Sequence, residues 1–443
     1  MIEPGDQELN ASLGIEAGRQ PQLASVEPPT VAIAAGAAGE SLRANRDFRV
    51  FLGGQGLSAL GDSITFTALP ILVLSLTGSG FAMGIVGILQ SVPDLLLGLP
   101  AGAVADRVDR RRLMLGADLG RALLTAVIPL TSALGGPTMT AILLVTLPIN
   151  CLRVLWLAGY AAAVAGLVGR AQVGRAQSIL EAVFNIGFVL GPALAGLLAA
   201  TIGPAQTIAL DAASFVVSAS ALFLIRTPLK PPQRAEPTHI VTDIAEGIRF
   251  VVGHPVLGRV ISFWGLVSIG TAALVPALTY HIEKDRGLSS AILGVVLSGY
   301  GVGSLLGAIA AGRFVTGNLG RFLLLGTAAT GLFLLVLAAG PPIPVVVACA
   351  FLSGIAQSNV LISYLTLRTN HSPDELLGRV GSTARLVSIG LTPIGLFIGG
   401  IVIDATSGAT AIVVMAAWMV GIAILFSLSS TVRSARSPEH PLP

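Results

Sequence analysis

Twelve times along this chain, about 20 or more residues pass with almost no charge: 50–76, 82–105, 113–134, 139–166, 178–201, 205–225, 260–282, 289–312, 322–340, 343–367, 381–403 and 409–430. The hydrocarbon core of a bilayer is about 30 Å thick and is crossed by roughly 20 helical residues. No water reaches the backbone there, so each segment must pair its own N–H and C=O groups, as a helix does. Barrel strands do not account for such runs, being about ten residues long and alternating in polarity. Only 11% of the residues are charged, against about 25% in soluble domains. The pattern predicts an all-α polytopic membrane protein with twelve transmembrane helices.

Placing the charges orients those helices. Twenty-one of the 26 Lys and Arg residues fall in the tails or in the loops after even-numbered spans. Lys284 and Arg286 fall on the opposite side, while Arg121, Arg153 and Arg385 lie inside spans. Basic residues resist translocation, so both termini are expected to be cytoplasmic, in a multi-pass protein of the cell membrane. With the charges so placed, the net charge of +3 gives no reason to expect a nucleic-acid partner. Residues 1–45 carry Glu3, Asp6 and Glu8 where a signal peptide would be basic, and read as a disordered cytoplasmic tail. Residues 431–443 read as a second cytoplasmic tail. Cys151 and Cys349 lie inside apolar runs, so no disulfide framework or metal site is expected.

Residues 226–259 are Pro-rich and then amphipathic, which predicts a cytoplasmic linker with a short surface helix. It divides the chain into six-helix bundles, 46–225 and 260–430, and the bundles echo each other. Pro70 in ALPIL corresponds to Pro276 in LVPAL, Gly102 to Gly307, and Pro192 to Pro393, at nearly constant separation. Two pseudo-symmetric six-helix bundles with a site between them form a transporter architecture that works by alternating access.

Six charges crowd the seven positions from Asp106 to Arg112, between the second and third spans. The stretch Gly102, Asp106, Arg107, Arg110, Arg111, Arg112 resembles the signature loop of the major facilitator superfamily, whose pattern has Gly where this chain has Asp109. In the fifth span, GFVLGPALAGLL carries Gly187, Gly191, Pro192 and Gly196, similar to the Gly-Pro motif of that superfamily's antiporters. The first span, GQGLSALGDSITFTALPILVLSLTGS, resembles the macrolide-efflux and enterobactin-exporter branch of drug:proton antiporters. The resemblance implies export driven by a proton gradient, with no cofactor. It also implies that Asp106 latches the cytoplasmic gate by meeting the start of the eleventh span, near Ser382 and Thr383. Backbone N–H groups at a helix start favour an anion.

Ionisable groups at mid-membrane cost about 2.5–3.5 kcal/mol each, so each one asks for a role. Asp62 lies on the stripe Gln55, Ser58, Asp62, Thr65, whose three- and four-residue steps make one helix face. A carboxyl there can hold a proton and surrender it to a cation. Asp94, beside Pro93, is the second candidate, and Arg153 is expected to pair with Asp62 or Asp94 as a relay. Asp118 and Arg121 are expected to pair locally. In the superfamily's fold the third and sixth helices are peripheral, which assigns Asp118, Arg121 and Asp211 a structural role. Tyr160, Asn185, Trp264, Gln357 and Tyr364, with Gln55, Ser58 and Thr65, are cavity candidates suited to amphiphilic substrates. No G-x-x-x-x-G-K-[ST] phosphate loop and no nucleophile with its base occur, which argues against an ATP-driven pump and an enzyme. A polar-solute importer would want polar residues in both halves, and a sensor or scaffold would not need buried acids. A monomer in the bilayer, handling small amphiphiles and protons, is expected.

Overall fold

The helices on one face of the bundle begin three to five residues before the apolar runs do, because their first turns are polar. In the computed structural model, which describes residues 42–136, 138–229, 240–314 and 317–436, α1 is Arg46–Thr77, α2 Gly80–Ala105, α3 Arg110–Ala133, α4 Thr138–Val168, α5 Val173–Ile202 and α6 Pro204–Leu224. After a helix between the halves, α7 Ile240–Gly253, come α8 Pro255–Ala272, α9 Leu274–Tyr280, α10 Ser290–Phe314, α11 Leu319–Ala338, α12 Ile343–Asn370, α13 Leu377–Ala405, α14 Gly408–Ser427 and the short α15 Ser430–Arg433. Asn45, Asp109 and Asn318 end the polar entry segments as N-caps, each accepting a backbone N–H of the first turn. Twelve spans are long and apolar enough to cross a membrane, and no strand occurs among the described residues. The expected N-terminal tail lies outside the described residues except for 42–45. Residues 230–239 of the linker and 437–443 of the second tail also lie outside them.

The seventh span is broken. α8 stops at Ala272 and α9 resumes at Leu274, because Pro276 has no N–H to offer the Ala272 carbonyl and its ring crowds it. A turn of π-helix, His281–Asp285, completes this span. Irregular backbone at membrane depth is tolerated where it lines a cavity, and Ala272, Val275 and Pro276 do so.

An even number of crossings puts both described chain ends on one face, here called the terminal face; the opposite one is the far face. At the far face a single apolar cluster runs through both halves, from Leu69, Leu72 and Val73 of α1 to Ala277, Leu293, Leu396 and Ile403. At the terminal face there are two: one around Phe51, Met114 and Trp156 in the first half, another around Phe263, Leu323 and Tyr364 in the second.

Backbones touch where the halves meet. A Cβ on Gly196 would stand 2.4 Å from the Ser290 carbonyl, and one on Gly294 at 2.4 Å from that of Pro192. Small residues allow this approach, as membrane helices require. Beside it Ser298 of α10 inserts into α5. Its Oγ accepts the Ala193 N–H at 3.0 Å and donates to the Val189 carbonyl at 2.7 Å. The α2–α13 contact is slightly less close, with a Cβ on Gly84 falling 2.7 Å from the Leu396 carbonyl. At its far end the Asp404 carboxylate accepts the Ser79 hydroxyl and the backbone N–H groups of Gly80 and Phe81, capping α2 from the other half. Lys284 adds a bond to the Gly78 carbonyl at 2.6 Å.

Candidate substrate cavity

Below this closure the halves part around a cavity of about 630 Å³. α1, α2, α3, α4 and α6 supply Asp62, Thr65, Asp94, Arg121, Asn150, Arg153 and Asp211, while the second half supplies Thr271, Ala272, Val275, Pro276, Thr392 and Leu396. From Asp94 a smaller compartment of about 210 Å³ leads toward the terminal face past Gly98, Ser382 and Arg385.

The charges are arranged as pairs. Asp62 is bonded to Arg121 of α3, and Arg121 also lies over the Phe215 ring at 3.9 Å. Asp94 is bonded to Arg153 of α4, which is steadied by Asn150 at 3.1 Å. A second arginine, Arg385 of the other half, stands 3.7 Å from Asp94. Within the cavity, Asp94 therefore meets arginines from both halves. Asp211 accepts the Thr65 hydroxyl at 2.6 Å and that of Ser214 at 3.2 Å. Asp118 accepts the Ser218 hydroxyl at 2.6 Å, and Ser218 in turn receives Gln55 Nε2 at 3.1 Å.

This geometry corrects several expectations. Arg153 pairs with Asp94 and not with Asp62. Arg121 reaches across to Asp62 instead of pairing with Asp118 on its own helix. Arg121 and Asp211 face the central cavity, so α3 and α6 are not merely peripheral. The polar stripe of α1 is divided: Asp62 and Thr65 reach the cavity, whereas Gln55 bonds α6 and Ser58 is buried away from it. Tyr160 is 5% exposed and stacks between Phe51 and Trp156. Trp264 and Tyr364 stack on each other at 4.7 Å within the second-half cluster. Asn185 is exposed and bonds the Glu181 carbonyl on its own helix. Of the five candidates from Tyr160 onward, Gln357 alone lines a described cavity. The missed residues carried one signal, the balance of charge: three acids and one arginine at similar depth on three neighbouring helices.

The charged loop has a division of labour. Asp109 is the N-cap of α3 at φ −60°, accepting the N–H groups of Arg111 and Arg112, so no glycine conformation is needed there. Arg111 bonds the last carbonyls of α6, Leu222 and Phe223, where the helix dipole favours a cation. Arg107 and Arg112 are exposed. Gly102 has open space around it. Asp106 is exposed and 3.9 Å from Arg110, not on α13. The expected landing point also moves. α13 starts at Leu377, so Ser382 and Thr383 lie in its second turn, and Gly247 of α7 packs against Thr383. In the Gly-Pro motif, Gly187 and Gly191 face Ala59 and Ser63 of α1, while Gly196 faces α10.

A sequence profile for proteins described as transmembrane secretion effectors matches residues 41–441. The chain belongs to this family of the major facilitator superfamily. This secretion-effector protein is 29% identical over 355 residues to the multidrug efflux pump Tap of Mycolicibacterium fortuitum, covering 78% of this chain and 86% of that one. It is 26% identical over 344 residues to the enterobactin exporter EntS of Escherichia coli O139:H28, covering 76% and 81%. Its fold is shared with the nucleoside transporter NupG, at a TM-score of 0.71 and 14% identity over 86% of this chain and 98% of that one. A bacterial homologue of the iron transporter ferroportin in its inward-facing state has a TM-score of 0.69 at 17% identity, over 87% and 98%. These are transporters and not enzymes, and so is the secretion-effector chain.

Proposed function

We propose that this protein exports amphiphilic small molecules across the cell membrane in exchange for protons, with its terminal face and both tails in the cytoplasm. On that orientation the structure is the state open to the cytoplasm. The observation that supports this most is the cavity's asymmetry: Asp62–Arg121 and Asp94–Arg153 face it from one half, and the uncharged residues Thr271, Ala272, Val275, Pro276, Thr392 and Leu396 of α8, α9 and α13 form the opposite wall. A cationic amphiphile would place its head among the acids and its body on that wall. Tap and EntS, by their names, move drugs and a secreted metabolite outward, which favours export.

The same residues supply the coupling. Asp62, Asp118 and Asp211 are electrostatic neighbours of one guanidinium, Arg121. Three carboxyls around one positive charge provide sites that accept a proton without leaving Arg121 unpaired. A substrate cation arriving at Asp62 competes with Arg121 and with that proton. Protonation of Asp94 loosens its contact to Arg385, which spans the halves.

Asp62→Asn tests the proposal in proteoliposomes with ethidium as substrate. Wild type should concentrate the dye when a pH gradient is imposed; the variant should equilibrate it but lose uphill transport by at least tenfold. Uphill transport surviving in Asp62→Asn and lost in Asp94→Asn would move the proton site to α2. Survival in both would sink proton coupling through these acids.

A further inference from the structure

Beside the charged cavity lies a second one of about 230 Å³, reaching between α9, α10, α11 and α12. Phe66, Thr271 and Val275 line both, so they form the sill between the two. Its wall is largely aliphatic and aromatic, with Leu334, Leu337, Val296 and Tyr300 among the lining residues. A cavity of about 150 Å³ holds one benzene ring, so this one accommodates a ring with a substituent.

Two polar atoms on its α12 wall have no partner among the described residues. Ser353 is 2% exposed and its Oγ has no hydrogen-bond partner; Gln357 Oε1, one turn on, is also buried without one. Helix hydroxyls normally return to the carbonyl four residues back. Thr271 of α8 and Thr330 of α11, which line the same cavity, do so, bonding Val267 and Gly326 at 3.1 and 2.9 Å. Buried polar groups are normally satisfied, and these two are four residues apart on one helix face, opposite nothing that pairs them.

We infer that this second cavity is a subsite for the uncharged end of the substrate, and that Ser353 and Gln357 select a neutral hydrogen-bonding group on it, such as a phenol. The inference rests on the amphiphile reading above. The substrate is then a three-part molecule: a cationic head at Asp62 or Asp94, an apolar bridge across Phe66 and Val275, and a ring with a hydroxyl or amide against α12. A site built to pair a hydroxyl discriminates strongly against the analogue lacking one, because its own polar groups stay unpaired.

A matched ligand pair tests this: 4-phenylbutylammonium and its para-hydroxy analogue, titrated calorimetrically into purified wild type, Gln357→Leu and Ser353→Ala. Wild type should prefer the phenol by about tenfold, the scale of one buried hydrogen bond. Gln357→Leu should abolish the preference while still binding the phenyl compound. Ser353→Ala, which removes one oxygen and is the safer variant for folding, should reduce it. Equal binding of the two ligands by wild type, or a preference unchanged in both variants, overturns the inference and leaves the transport proposal standing. Wild type binding neither ligand overturns the amphiphile reading and this inference with it.

Discussion

The two ends of the bundle are built from the same twelve spans, yet one holds a single apolar cluster and the other holds two. At the far end α5 meets α10 and α2 meets α13, backbone against backbone, and side chains of both halves share one core. At the terminal end each half closes on itself, the first around Phe51 and Trp156, the second around Phe263 and Tyr364. This difference between the ends sets where the conformational change must act. Each half has an apolar cluster of its own at the terminal end, so the halves can part there without exposing those clusters. Parting at the far end requires the shared cluster to split, so the contacts that hold it set the balance between states.

That balance can be broken most forcefully at Gly196. A leucine there has no room against the Ser290 carbonyl, and overpacking of this kind costs about 1–3 kcal/mol. Converted to populations this is roughly 5- to 150-fold. With Cys151 and Cys349 replaced and Val73→Cys as the reporter, an impermeant maleimide added at the far face should label Gly196→Leu at least fivefold faster. Val73 is fully buried and lines the cavity, so its labelling reports opening. An unchanged rate would mean that the α5–α10 contact does not hold the far end shut.

A smaller effect is expected at Asp404. Its carboxylate caps α2 from the other half, but it is exposed, where such charge–dipole contacts give about 0.3–1 kcal/mol. Asp404→Asn should raise Val73→Cys labelling about two- to fivefold, and molar salt should do the same to the parent by screening. If neither changes the rate, Asp404 is only a local hydrogen-bonding group. Asp106 sits at the opposite end of the same helix with no partner among the described residues of the other half, which makes the pair α2–α13 latched at one end and loose at the other.

Much of this was readable from the chain. Run lengths located the spans, and arginines in the first turns explain why the helices begin earlier than the runs. Periodicity showed that Asp62 and Thr65 share a face with Gln55 and Ser58, but not that the face passes from α6 to the cavity partway along. Aromatics were the weakest guide. Tyr160, Trp264 and Tyr364 have the spacing of cavity walls and of core stacks alike, and only the packing of neighbouring helices separates the two. The partner of Asp62 was hidden for a related reason: Arg121 and Arg153 lie at similar depth, and the choice between them depends on how α3 and α4 rotate against α1.

The smallest expected effect is at Ser298, where alanine should change labelling by less than twofold. Its hydroxyl stands between the Ala193 N–H and the Val189 carbonyl, the donor and acceptor of one rung of α5. Once the hydroxyl withdraws, that rung can close on itself, and neither group is stranded in a medium without water. Separation of the halves then leaves α5 with as many satisfied backbone groups as before. A joint of this kind behaves like a ball in a socket: it resists sliding, which would misplace the hydroxyl, but offers little resistance to lifting apart. Such a contact fixes the register in which the halves meet, while adding little to what holds them together.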